Sequence, residues 1–217
     1  MTNTTPSTLK EQLDQISGSI PEAIDARITA DTAEIADSNA APGLEVGATA
    51  PDFTLLDQLG RATSLHDLLA AGPVVLTFYR GEWCPFCNLQ IRSFQAHTPR
   101  FTELGASLVA ITPQGADHSL SLTEKHELAF PVLSDLDQSV IRAYRVQFAL
   151  TGDLEDLQVN VFGNDPALQN ADGTRTLPVP ATFVIDRDSI VRAAFVSSDW
   201  RSRPEPTAII AALKNLQ

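Results

Sequence analysis

Short apolar runs recur along the chain from residue 44 onward, and several of them have the composition of buried strands. "PVVLTFYR" (73–80) and "SLVAIT" (107–112) are continuous and rich in β-branched residues, as strands covered on both faces are. "ATFVID" (181–186) and "SIVRAAFV" (189–196) repeat the pattern and are joined by Arg-Asp, which predicts a hairpin.

Amphipathic segments separate these runs. After the first strand, apolar residues recur at helical spacing until Gly105, and we expect Pro99 to kink or break this helix. Ser64 and Asp67 resemble a capping box, and "PTAIIAALKNL" closes the chain as an amphipathic helix. Strands alternating with helices and followed by a hairpin predict an α/β fold with a mixed central β-sheet between flanking helices.

The two ends of the pattern define the expected domains. Residues 1–43 contain no aromatic residue and show only weak helical spacing, which predicts a solvated N-terminal helical arm. Docking of the arm on the core or on a second copy, giving a homodimer, is the alternative. Residues 44–217 form the expected main domain. Residues 148–180 are rich in Gly and Pro and have few apolar runs, so we interpret them as an insertion.

Composition narrows the classes of partner. The formal net charge of the 217 residues is −12, which argues against nucleic acids and anionic membranes, because both bind clustered Lys and Arg. No apolar stretch approaches the length of a membrane-spanning helix, and the N-terminus lacks the apolar core of a secretory signal. We therefore expect a cytoplasmic protein.

The only two cysteines, Cys84 and Cys87, follow a predicted strand directly and open the next helix. A helix N-terminus carries free N–H groups and a partial positive charge, which stabilise a thiolate. Pro85 suits the first helical position, and Arg80 adds positive potential. Cys87 lies one turn later, within reach of an oxidised Cys84.

Three other interpretations of the cysteine pair compete with redox chemistry. A zinc site needs about four ligands, whereas this motif supplies two and the four histidines are scattered, so no metal or other cofactor is expected. A structural disulfide would close too short a loop to stabilise much. A pair of inert buried thiols is disfavoured by the position at the helix start. Redox chemistry is the favoured interpretation.

Pro180 leads directly into the strand at 181–186. X-Pro bonds are the only common site of cis peptides, and a cis proline here could bring backbone against the cysteines. A trans proline at the start of a strand is the alternative, and the local sequence does not distinguish them.

Four segments together resemble a known family. They read "VGATAPDFTLLDQLGRATSLHDLL", "VVLTFYRGEWCPFC", "PVLSDLDQSVIRAYRV" and "VPATFVIDRDSIVRAAFV". From about Leu44 to the C-terminus the chain is similar to thioredoxin-fold peroxiredoxins of the alkyl hydroperoxide reductase/thiol-specific antioxidant group. The resemblance implies a thioredoxin-like three-layer fold, with Pro180 in the place of the superfamily's cis proline.

The resemblance also implies a reaction. Cys84 would attack the O–O bond of a peroxide and become a sulfenic acid, and Cys87 would condense with it to an intramolecular disulfide. A thioredoxin- or glutaredoxin-type donor would then restore the dithiol.

The chain departs from this family at the peroxide-binding positions. Thr77 and Gly81 stand where the family has Pro and Thr upstream of the nucleophile, and Pro180 stands where its peroxide-binding Arg occurs. The usual hydrogen-bond donors to a bound peroxide are therefore not in their usual places, and the candidate substitutes are Tyr79, Arg80 and Thr77. Trp83 directly before the cysteine motif is instead similar to thioredoxin.

Three functions follow, in order of preference. The first is a thiol peroxidase acting on hydrogen peroxide or organic hydroperoxides. The second is a thioredoxin-like thiol–disulfide oxidoreductase, favoured by the Trp-Cys-Pro-Phe-Cys motif and Pro180. The third is a redox sensor whose cysteine pair switches state.

Overall fold

A seven-stranded mixed β-sheet forms the centre of the protein. The computed structural model describes residues 7–217. The strands of the central sheet follow the order β2-β1-β5-β4-β3-β8-β9. The pairs β3–β4 and β4–β5 are parallel, and the other pairs are antiparallel. The bounds are β1 Thr54–Asp57, β2 Ala62–Ser64, β3 Val74–Phe78, β4 Ser107–Thr112, β5 Val132–Ser134, β6 Gln147–Ala149, β7 Thr176–Pro178, β8 Ala181–Ile185 and β9 Val191–Val196.

Helices cover both faces of this sheet. Their bounds are α1 Leu9–Ser17, α2 Glu22–Asp37, α3 Leu65–Ala71, α4 Pro85–Glu103, α5 Ala116–His126, α6 Ser139–Ala143, α7 Gly152–Asp156, α8 Pro166–Gln169 and α9 Pro206–Lys214. A π-helical turn at Leu157–Val161 continues α7.

Central strand β3 shows why two helical layers are needed. Val74, Leu76 and Phe78 point into the hydrophobic core on one face, and Val75 and Tyr79 point into the core on the other. Because successive side chains of a strand alternate between faces, an all-apolar strand is stable only when both faces are covered. The predicted α/β fold with a mixed sheet between flanking helices is confirmed.

A kink or a break was expected at Pro99, and the break does not occur, since α4 runs unbroken through this residue. Pro99 lies on the exposed side of the helix, whereas Ile91, Phe94 and Phe101 are buried. Burial of the apolar side keeps the helix continuous.

The N-terminal arm is docked rather than solvated. Leu9 and Leu13 of α1 are buried where this helix packs on α4, and Ile28 of α2 has no exposed surface. Arg27 of α2 also pairs with Asp153 in α7 at 2.5 Å. The weak helical spacing in the sequence did not indicate that these apolar residues are buried against the core. Residues 1–6 of the predicted arm lie outside the described residues.

The segment interpreted as an insertion contributes its own small sheet. Strands β6 and β7 pair antiparallel at its two ends, and Phe148 and Leu177 are buried in the core. Between them lie α7, the π-helical turn and α8. Among residues 7–217 no helix combines the length and apolarity needed to cross a membrane.

Candidate active site

Cys84 and Cys87 lie where the sequence places them, between the end of β3 and the first turn of α4. Cys84 is the N-cap of α4 and has extended backbone angles, with Pro85 at the first helical position. Both thiols are free and neither has exposed surface. A reagent can therefore reach either sulfur only after a local opening of the site.

Arg80 contacts the nucleophile directly. Its Nη2 donates to Cys84 Sγ at 3.3 Å, and only 3% of the residue is exposed. The guanidinium lies between two indole rings, 5.0 Å from the centroid of Trp83 and 4.6 Å from that of Trp200. Such stacking stabilises a buried cation and holds its plane in place. The predicted supporting residues Arg80 and Trp83 thus form one unit over Cys84.

A second arginine contacts the second cysteine. Arg203 Nη2 donates to Cys87 Sγ at 3.2 Å, and Arg203 Nε donates to Gln90 Oε1 at 2.7 Å. Its Nη1 donates to the carbonyl oxygens of Trp200 and Ser202 at 2.6 and 2.7 Å. All three guanidinium nitrogens are thereby engaged, which fixes the side chain against Cys87.

Thr77 supports this second arginine rather than a substrate. Its hydroxyl donates to the Ala181 carbonyl at 3.2 Å and shares a hydrogen bond with the Thr182 hydroxyl at 2.9 Å. Gln90 Nε2 donates to Thr77 Oγ1 at 3.2 Å, so Thr77 helps to orient the amide that binds Arg203. The hydrogen bonds of Thr77 do not include either cysteine sulfur.

The pKa values of the two thiols are shifted in opposite directions. Burial raises the pKa of Cys84, but a hydrogen bond from Cys87 and the charges of Arg80 and Arg203 outweigh it and hold the pKa well below the ordinary value. Burial and the hydrogen bond to Cys84 hold the pKa of Cys87 well above its ordinary value. The electrostatics of the reduced site therefore favour a thiolate on Cys84 and a neutral thiol on Cys87.

Tyr79 and Pro180 lie beside the site, and neither forms a hydrogen bond with Cys84 Sγ. Burial raises the pKa of the Tyr79 phenol, which keeps it neutral. The Val179–Pro180 peptide bond is trans, which decides the question that the sequence left open. Pro180 lies beside Arg203 in a cleft at the edge of β9.

Gly81 explains the departure from the family's threonine. A Cβ atom here would lie 2.7 Å from Gln114 Oε1 and would collide with Trp83 Nε1. Its φ of 152° is one that residues with a Cβ rarely adopt. The indole of Trp83 therefore occupies space that a threonine at this position would need.

A largely apolar cavity of about 290 Å³ opens beside the Arg80–Trp83–Trp200 stack. Within residues 7–217, Arg80 Nε and Asn164 Nδ2 on its wall have no hydrogen-bond acceptor. A larger cleft of about 510 Å³ lies at the start of β3, beside Pro73. In the described part of the chain, neither space is lined by a cysteine, but the smaller one includes Arg80, Trp83 and Pro85 of the cysteine turn and the larger one does not. The smaller cavity is lined by Ile16, Ile20, Arg80, Trp83, Pro85, Phe86, Gln158, Phe162, Asn164 and Trp200.

Comparison with known proteins agrees with this geometry. The model of the AhpC/TSA family matches residues 46–194. The chain belongs to the AhpC/TSA family. It is 30% identical over 149 residues to a chloroplastic peroxiredoxin Q of Sedum lineare, covering 69% of this chain and 67% of that protein. A chloroplastic peroxiredoxin Q of Oryza sativa subsp. japonica is 33% identical over 123 residues, which cover 57% of this chain and 56% of the rice protein.

Solved structures show the same fold. The crystal structure of peroxidoxin BcpB from Mycobacterium tuberculosis is 27% identical, with a TM-score of 0.63 over 80% of this chain and 99% of that one. The predicted thioredoxin-like fold and family resemblance are therefore confirmed. The family and the reactive cysteine identify this AhpC/TSA member as a thiol-dependent peroxidase.

The sequence analysis missed Gln90, Trp200 and Arg203. The signal was the segment "DWRSRP" (199–204), which places a tryptophan and two arginines directly after the closing hairpin. Local sequence gives no register between this segment and the cysteines, since 116 positions separate Cys87 from Arg203.

Proposed function

We propose that this AhpC/TSA member reduces organic hydroperoxides, with Cys84 as the peroxidatic nucleophile. The observation that carries the proposal is the buried Arg80 guanidinium, which donates to Cys84 Sγ beside an apolar cavity. The cation favours the thiolate before reaction and faces the charge that develops on the departing oxygen.

The first step consumes the peroxide. Cys84 thiolate attacks the distal oxygen of ROOH, the S–O bond forms as the O–O bond breaks, and the alkoxide leaves and takes a proton to become an alcohol. Cys84 is then a sulfenic acid, oxidised by two electrons. Because Cys84 is fully buried, the peroxide must first displace part of the Trp83–Arg80–Trp200 stack.

The second step regenerates the enzyme. Cys87, one helical turn away, condenses with the sulfenic acid to form an intramolecular disulfide and water. A thioredoxin- or glutaredoxin-type donor then reduces the disulfide by exchange. Both reduced sulfurs are buried, so we propose that the disulfide form exposes this turn to the donor. Turnover with NADPH and either a thioredoxin or a glutaredoxin system distinguishes the two donors.

The cavity supports an organic rather than an inorganic peroxide. Its walls are contributed by the docked arm through Ile16 and Ile20, by the π-helical region through Phe162, and by Trp200. The unpartnered N–H groups of Arg80 and Asn164 suit the oxygen atoms of a hydroperoxide, while the remaining walls suit its apolar group.

Oxidation of Cys84 is expected to be independent of pH down to values well below about 8.5, where a free thiol protonates. The lowered pKa of Cys84 keeps its sulfur ionised over this range. Stopped-flow fluorescence of Trp83 and Trp200 after mixing with cumene hydroperoxide measures the rate. A rate that fell about tenfold per pH unit from 8.5 downward, or one no faster than a free thiol, would reject the proposed function.

Phe162→Ala is expected to lower kcat/KM for cumene hydroperoxide about tenfold and to change that for hydrogen peroxide less than about threefold. The ring lines the cavity and packs edge-on against Trp200, with centroids 6.1 Å apart, so its loss removes apolar contact with the substrate. Leu168→Ala is the matched control, because Leu168 is 81% exposed and lies outside the cavity. Equal losses for both peroxides would show that the cavity does not select substrates.

We also propose a cytoplasmic location and a homodimer. A dithiol that must be regenerated suits a reducing compartment, which cell fractionation would test. Leu56 and Leu59, exposed by 52% and 60% beside the β1–β2 hairpin, support a self-contact that light scattering would measure.

A further inference from the structure

We propose that Arg203 is a catalytic residue of the resolving step, in which it converts Cys87 from a neutral hydrogen-bond donor into the nucleophile that attacks oxidised Cys84. This inference rests on the proposed peroxidase function and adds a residue to it. The arginine comes from the loop before α9, far in sequence from the cysteine motif.

The site contains one guanidinium for each sulfur. Arg80 Nη2 lies 3.3 Å from Cys84 Sγ and Arg203 Nη2 lies 3.2 Å from Cys87 Sγ. Arg203 is only 9% exposed, and its position is fixed by Gln90 and by two backbone carbonyls. The hydrogen bond to Cys87 is therefore part of a rigid arrangement rather than a contact of a mobile surface side chain.

Arg203 lacks a permanent anionic partner. Its hydrogen-bond acceptors within residues 7–217 are an amide oxygen, two carbonyl oxygens and the sulfur of Cys87. A buried cation without a counterion favours ionisation of any acidic group beside it. Of these four acceptors, only Cys87 Sγ can acquire a full negative charge.

Oxidation of Cys84 changes which sulfur carries the charge. In the reduced site the negative charge is favoured on Cys84, because the charges of Arg80 and Arg203 both lower the pKa of its thiol. The first step removes that charge from sulfur, because the sulfenic acid is neutral and the alkoxide leaves as an alcohol. Two buried cations then face two neutral sulfurs. Burial still raises the pKa of Cys87, but the charge of the Cys84 thiolate no longer does so, while Arg203 and Arg80 still lower it.

The resolving step balances without a further reagent. Cys87 loses its proton, its Sγ attacks Sγ of Cys84 sulfenic acid, the S–S bond forms and the S–O bond breaks. The departing hydroxide takes a proton and leaves as water. Arg203 stays protonated throughout and stabilises the attacking thiolate.

Arg203→Met tests the proposal in a single turnover of the full chain with cumene hydroperoxide. We expect the sulfenic acid phase to change less than about threefold and the disulfide phase to slow about tenfold or more. Dimedone labelling followed by mass spectrometry should detect the accumulated sulfenic acid. We also expect the pH midpoint of the disulfide phase to rise, because the cation beside Cys87 is gone.

The pH profile separates this role from a structural one. The charged and titratable groups around Cys87 are Arg203 before α9, Arg80 and Tyr79 after β3, and Cys84 on its own turn. Arg203→Lys restores a cation and should return the midpoint part of the way to that of the wild type. If Arg203→Met does not fold, the shifted midpoint of Arg203→Lys decides the question.

Arg201→Met is the matched control. Arg201 lies two residues away in the same loop, where it pairs with Asp199 of that loop and with Asp25 of the N-terminal arm, and its hydrogen bonds do not include a cysteine. We expect this variant to leave both phases unchanged.

Two results would overturn the inference. An unaltered disulfide phase in Arg203→Met would do so, as would equal slowing of both phases with no change in the pH midpoint. Both leave the peroxidase function standing. Absence of a peroxide-dependent first phase in the wild-type protein would instead reject the peroxidase function and this inference together.

Discussion

Cys84→Ser is expected to abolish hydroperoxide reduction, and Cys87→Ser is expected to complete one oxidation and then stop as a sulfenic acid. The difference follows from the pKa values of the two thiols. The pKa of Cys84, whose Sγ lies 3.3 Å from Arg80 Nη2, is lowered, whereas the pKa of Cys87 is raised. A serine hydroxyl at position 84 is not ionised near neutral pH and forms no sulfenic acid. We expect a loss of at least about a thousandfold in kcat/KM for Cys84→Ser.

Two measurements check this pair of variants. NADPH consumption coupled to a thioredoxin system reports turnover, and mass spectrometry after one equivalent of cumene hydroperoxide reports the oxidation state of each cysteine. Cys87→Ser should show a first phase close to that of the wild type and should gain one oxygen. Steady turnover by Cys84→Ser, or rapid oxidation of Cys87 in its place, would contradict the assignment of the nucleophile.

Arg80→Met is expected to lower kcat/KM for hydroperoxides about 10²–10³-fold at neutral pH. Two effects combine in this loss. Removal of the cation raises the pKa of Cys84, so the thiolate fraction at neutral pH falls. The alkoxide that leaves in the first step also loses the positive group that faces it.

The pH dependence separates the two effects of Arg80→Met. Above the raised pKa, Cys84 is fully ionised in the variant as well, so the remaining deficit measures stabilisation of the transition state alone. Arg80→Lys keeps a positive charge but lacks the planar group that stacks between Trp83 and Trp200, and we expect an intermediate rate. A rate for Arg80→Met within about threefold of the wild type at neutral pH would show that Arg80 is only structural.

The docked arm contributes to this site from outside the region that the family model matches, and the π-helical region contributes from inside it. Ile16 and Ile20 at the end of α1 line the cavity next to the reactive turn, and Phe162 closes it from the other side. The family model matches residues 46–194, which excludes Ile16 and Ile20.

Local patterns in the sequence predicted the framework of the protein. An apolar, β-branched run such as 74–78 is typical of a strand buried on both faces, and a proline after Cys84 suits the first position of a helix. Together these two features predicted a cysteine pair at a helix N-terminus. Arg80 was identified because it is close in sequence to the motif, and Trp83 because a tryptophan directly before the motif is similar to thioredoxin.

The tertiary structure alone decided which groups complete the site. Arg203 and Trp200 reach the cysteine turn through contacts between segments more than a hundred residues apart, and hydrophobic periodicity carries no register between such segments. Local sequence also failed to predict the continuous helix at Pro99 and the docking of the arm. In both cases burial of one helix face outweighed the local preference. The sequence by itself predicted a redox cysteine pair at a helix start, while long-range packing placed an arginine against each of the two sulfurs.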